Sequence, residues 1–169
     1  LALDDHVWPA VIWTVNQLVS VQPLSSNPNS YPNIGLAGYS EGEVLGVPDS
    51  PFCMVLNEDL DDQSVSQNLG GSDLNVSVYN ITLRLLAMWT TDAPTAEHVL
   101  MPLIRQVRNT FRQHIKMSQW PGWGAGSSTI AEALVATGGW GYLLVNGVTY
   151  RTVDLRVRIT EKEPVGYGT

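Results

Sequence analysis

Apolar side chains recur with period two along Tyr79, Ile81, Leu83, Leu85, Ala87 and Trp89, while Asn80, Thr82 and Arg84 take the alternate positions. That alternation predicts a long strand over residues 74–91 with one face on a core. Val76 and Val78 fall out of this phase, so the stretch near 78–79 should hold either a bulge or the start of a second buried face. A second alternation closes the chain, where Val153, Leu155, Val157 and Ile159 interleave with Thr152, Asp154, Arg156 and Arg158. It reads as the second arm of a hairpin made by residues 141–145 and 149–159. Asn146-Gly147 lies between the arms, and this pair readily supplies the two positive φ angles that a tight primed turn requires. Residues 52–56 and 129–137 add shorter strand candidates.

Two segments change to helical spacing. Val7, Val11, Val15, Leu18 and Val19, with Ile12 adjoining, predict a helix over 4–21, capped by Asp4 or Asp5, with Pro9 near its start and Pro23 beyond its end. Leu100, Leu103, Ile104, Val107, Phe111 and Ile115 predict a longer helix over 93–116, with Asp92 or Thr95 as its cap and Pro94 in its first turn. Pro102 should either kink that helix or mark its true start. Residues 22–51 hold five prolines and five serines and read as a long loop. Residues 57–73 read as a second, acidic loop, 120–128 (WPGWGAGSS) as a turn-rich connection, and 161–169 as a polar tail. The expected architecture is one domain of class α+β, a four- to five-stranded mostly antiparallel sheet packed by two helices, with long loops.

Composition narrows the function classes. The 169 residues are 44% hydrophobic and 15% charged, a globular balance. A net charge of −7 argues against a general nucleic-acid binder, whose affinity comes from neutralising phosphates. The single cysteine, Cys53, excludes an internal disulfide framework and a cysteine-rich zinc site. No apolar run reaches membrane-spanning length, and residues 1–21 carry acidic rather than basic charge at their start, unlike a signal peptide. A soluble, unanchored protein of a reducing compartment is the expectation. The charge is unevenly spread: no Lys or Arg precedes Arg84, against ten acidic residues, whereas nine basic and six acidic residues follow. The two parts carry −10 and +3. Such a chain is suited to head-to-tail association with copies of itself, although an acidic solvated face is the plainer reading.

Candidate chemistry is sparse. Gly38-Tyr39-Ser40-Glu41-Gly42 fits the G-x-S-x-G nucleophile elbow, with His98 or His114 as base and Asp92 as acid. The elbow needs a strand before Ser40 and a helix after it, and Gly46 and Pro48 stand where that helix should run. His6, His98 and His114 lack metal-ligand spacing, and the acidic run Glu58, Asp59, Asp61, Asp62 lacks the pattern of a calcium loop. Neither a metal nor a cofactor is implied. The formal sequons Asn75-Val-Ser77 and Asn80-Ile-Thr82 fall in the strongest strand and read as polar strand positions. Trp120, Trp123 and Trp140 could line a sugar site, although core and subunit contacts are the commoner use of tryptophan. Arg105, Arg108 and Arg112 form a basic stripe on the second helix, and the acidic first half makes protein–protein pairing the favoured use of it.

The run Val78-Tyr-Asn-Ile-Thr-Leu-Arg-Leu85, a single amphipathic helix, a Gly-rich stretch and the hairpin from Leu143 to Val157 follow one another in order, behind an opening helix. This arrangement resembles the tail terminator (tail completion) and neck proteins of long-tailed bacteriophages. The resemblance covers most of the chain in element order and residues 75–160 in residue pattern. It implies a structural virion protein, assembled in the host cytoplasm, that forms a hexameric ring at the head-proximal end of the tail tube. There it would stop tube polymerisation and join tail-tube protein to head-completion protein. DNA would pass through without sequence-specific binding, and no membrane or enzymatic turnover is involved. On this reading Glu58, Asp59, Asp61 and Asp62 are lumen-facing candidates, since an acidic conduit does not retain phosphates. Arg105, Arg108 and Arg112 are subunit-interface candidates. A head-closure adaptor of the neck and a small serine esterase using Ser40 are the alternatives, with a carbohydrate- or partner-binding module behind them.

Overall fold

The computed structural model describes residues 7–19, 35–59, 65–69, 72–88, 93–114 and 129–164. Helix α1 (Val7–Val19) leads to strands β1 (Gly38–Glu41), β2 (Phe52–Asp59), β3 (Val65–Leu69) and β4 (Ser72–Met88). Helix α2 (Ala93–Gln113) and the long hairpin β5 (Thr129–Val145) and β6 (Val148–Pro164) complete the order. The sheet runs β1-β2-β4-β6-β5, antiparallel except for the β1–β2 pair. Strands β2 and β3 follow each other along the same side of β4, pairing with residues 80–86 and 72–76 respectively, so the sheet is five strands wide. The α+β class, the mostly antiparallel sheet and the two packing helices agree with the sequence pattern.

Both helices lie on one face. Val7, Ala10, Val11, Val15 and Leu18 of α1 and Leu100, Leu103, Ile104, Val107 and Phe111 of α2 are buried there. They meet Cys53, Val55, Ile81, Leu83, Leu85, Val153, Leu155, Val157 and Ile159 of the sheet. Thr14 joins this core because its hydroxyl donates to the Ala10 carbonyl at 2.8 Å. Pro9 sits in the first turn of α1, where its missing N–H has no helical acceptor to lose. Val19 ends the helix partly exposed, off the stripe that Leu18 completes. Helix α2 begins at Ala93, so Pro102 is interior to it and Thr95 lies inside its first turn rather than capping it. Asp4, Asp5, Asp92, Trp89 and Ile115 lie outside the described residues.

The opposite face is also partly apolar. Phe52, Met54, Leu56, Leu86, Val145 and Tyr150 are buried on it beneath Val44 and Val47. This second face explains Val76 and Val78, because the β4–β6 register runs unbroken from Leu74↔Pro164 to Met88↔Tyr150 and has no bulge at 78–79. Val76 is buried with the even-numbered residues.

Four boundaries differ from the sequence pattern. The 22–51 region contains β1, a four-residue strand whose local composition is turn-like and which exists through parallel pairing to β2. The 57–73 region contains the end of β2 and all of β3, held by pairing with β4. Strand β6 continues to Pro164, where a polar tail was expected, and Glu161 is buried with its carboxylate accepting from the Tyr79 hydroxyl at 3.1 Å. Strand β5 is continuous, because a register shift between Thr137 and Trp140 absorbs the two glycines. The tight turn is as expected, with Asn146 at φ 48° and Gly147 at φ 78°.

Candidate interaction surfaces

Ser40 occupies the third position of β1, paired with Met54. Its hydroxyl donates to the Gly42 carbonyl at 2.9 Å, and Gly42 turns the chain at φ 91° into a segment, 43–51, that holds no helix. The strand half of a nucleophile elbow is present and the helix half is not. His98 is exposed on α2. His114 stands edge-on to Trp13, ring centres 5.0 Å apart, with Nδ1 2.8 Å from the Thr110 carbonyl. Neither histidine contacts Ser40, and Asp92 lies outside the described residues. Cys53 is fully buried among aliphatic side chains, and loss of solvent pushes its thiol pKa well above the ordinary range.

Among the described residues, no group of three or more His, Cys, Asp and Glu side chains gathers as a metal site. Nor is any helix there long and apolar enough to cross a membrane. Glu58 and Asp59 end β2 just past a register shift, and Asp61 and Asp62 lie outside the described residues. Asn80 and Thr82 of the second sequon are half-buried and buried strand positions, as expected.

The basic stripe takes a definite place. Arg105, Arg108 and Arg112 are exposed along the flank of α2 that faces β5, the edge strand of the sheet. Arg108 donates to the Thr137 hydroxyl, and Arg108, Phe111 and Arg112 border a shallow groove against Ala133, Leu134 and Val135. Further along the same flank, Arg151 of β6 donates to Glu97 of α2 at 2.8 and 3.0 Å and to the Gly141 carbonyl at 3.2 Å. Its guanidinium lies 4.4 Å from the Tyr142 ring centre and 5.1 Å from that of Trp140. Both rings are therefore held by a cation that is itself held by a carboxylate.

Around this ladder the surface is apolar. Trp140, Tyr142 and Leu144, at alternate positions of β5, are 38%, 55% and 68% exposed, and Met101 of α2 is 61% exposed. Register places Trp140 opposite Val153 and Tyr142 opposite Arg151, which puts the stripe on the helix side of the sheet. Sequence reasoning singled out Trp140 but not Tyr142, Leu144 or Met101. The available signal was the 140/142/144 alternation on an arm whose other face, Leu143 and Val145, is also apolar.

A contrasting surface lies on the other side. Glu43 and Asp49 are exposed along 42–51, the segment that crosses the second face, whereas Glu41, at the end of β1, accepts from the Trp8 indole of α1 at 3.1 Å on the helix side. Val44 and Val47 pack down onto that face, whereas Leu45 between them is 97% exposed. Glu43 stands 3.9 Å from Arg84, whose guanidinium is gripped at 2.9 and 3.0 Å by Asp154. A cleft of about 470 Å³ separates Gly46, Val47 and Pro48 from the hairpin tip at Val145, Asn146, Val148 and Tyr150. Exposed Arg156 and Arg158 share this face but sit further along β6, with Arg156 about 20 Å from Tyr150 at strand rise. Compared with protein families and curated proteins, the sequence matches no family model and no curated relative.

Proposed function

We propose that this chain is a structural subunit that assembles head-to-tail into a ring, and that the ring closes the head-proximal end of a phage tail tube. One observation carries the reading: two surfaces of opposite charge stand on opposite faces of one open-edged sheet. The arginine flank of α2 lies on the helix side, and the 43–49 segment with Glu43 and Asp49 lies on the other. A surface that complements a different surface on the next copy generates rings or filaments rather than two-fold dimers. The likeness of residues 75–160 to tail terminators supplies the ring and its location.

In this reading the ring stops tube growth, meets tail-tube protein on one side and head-completion protein on the other, and lets DNA through its centre. Glu58, Asp59, Asp61 and Asp62 face the channel, where negative charge repels the passing phosphates. The test is light scattering and negative-stain microscopy at high protein concentration, with tail-tube protein added in a second series. We expect annular particles near six times the 18.5 kDa protomer mass, and tube growth that stops when the rings are present. A chain that stays monomeric at every concentration, alone and with the tube protein, would overturn the reading.

A further inference from the structure

We propose that the Leu45 knob of one copy seats on the Trp140–Tyr142–Leu144 platform of a second copy, and that this contact builds the ring. The inference rests on the head-to-tail reading and adds to it the residues that meet. Leu45 is 97% exposed, yet its neighbours Val44 and Val47 are packed onto the second face of the sheet. The loop is thus anchored on both sides of a leucine that it holds out to solvent. Glu43 and Asp49 flank this knob with negative charge.

The platform has the matching composition. Arg151, braced by Glu97, holds Tyr142 and Trp140 from beneath, so the rings lose little freedom when covered. Leu144 and Met101 extend the apolar area, and Arg108, bonded to Thr137, adds positive charge at its end nearer the middle of β5. Aromatic residues and arginine around an apolar centre are the enriched composition of protein interfaces, and positive charge beside it selects an acidic partner. Glu97, the acidic side chain beside the platform among the described residues, is already committed to Arg151.

Geometry excludes closure within one molecule. Leu45 belongs to the second face and Tyr142 to the helix face, so a chain cannot cover its own platform with its own knob. Each copy can hold two neighbours at once, one by the knob and one by the platform. That is the condition for head-to-tail growth, which gives a ring when the rotation between copies closes.

The test uses the full chain with two surface variants, Leu45→Asp and Leu144→Asp, each checked for native circular dichroism. Leu45→Ser and Leu144→Ser replace them if either aspartate variant fails to fold. Sedimentation velocity should show each variant alone as a monomer, its self-association weakened at least tenfold. An equimolar mixture should give one-to-one dimers and nothing larger, because one intact knob meets one intact platform. Wild-type-like assembly by either variant would overturn this contact while leaving the ring standing, as would a mixture that stays monomeric. Loss of assembly by Leu144→Asp alone would mean that the platform takes some other segment, which also overturns it. A wild-type chain that never associates would defeat the head-to-tail reading itself.

Discussion

Gly138 and Gly139 are adjacent and physically unlike. A Cβ on Gly138 would sit 2.8 Å from the Asp154 carbonyl oxygen, a backbone atom that cannot swing aside, whereas a Cβ on Gly139 meets nothing within 4 Å. Gly138→Ala should therefore destabilise the fold by about 1–3 kcal/mol through overpacking. Gly139→Ala should stay within about 0.5 kcal/mol. Urea titrations of the two variants with equal m-values would make the comparison clean, and equal midpoints would refute it. The pair also shows what a sequence conceals at this scale. Two consecutive glycines looked like a break between strands, and only the close passage of β6 at Asp154 shows that one of them keeps the strand continuous. The same holds for Ser40, where five letters fitted a catalytic motif while the hydroxyl's partner, the Gly42 carbonyl, depends on the backbone turn.

Elements with strong internal periodicity were legible in advance, and elements made by pairing were not. The alternations in β4 and β6 and the stripes of α1 and α2 contain their own evidence, because each presents a run of buried side chains in phase. Strands β1 and β3, four and five residues long, have no such run and owe their existence to neighbours β2 and β4. For the candidate surfaces, the arginine stripe was visible from its spacing. The platform was not, since an exposed Leu144 and a buried Leu155 look alike until register assigns their faces. That difference is measurable. Leu155→Ala, with no exposed surface at the centre of β6, should cost about 2–5 kcal/mol. Leu134→Ala, half exposed on edge strand β5, should cost under about 1 kcal/mol by chemical denaturation.

For the whole molecule, the proposed assembly depends on charge held near the surface, where salt screens it. Raising NaCl from about 0.05 M to 0.5 M should weaken self-association roughly tenfold, since the screening length shrinks from over 10 Å to a few ångströms. Sedimentation across that range decides it, and a dissociation constant indifferent to salt would remove the arginine charge from the account. Sheet order carries one more consequence, for biosynthesis. The central strand β4 takes its main partner, β6, from far downstream, with Met88 paired to Tyr150 and Leu74 to Pro164. A ribosome adding roughly 5–20 residues per second makes β4 several seconds before that partner. During this interval the nascent chain carries a long, alternately greasy ribbon with one side unzipped, a natural client for a co-translational chaperone.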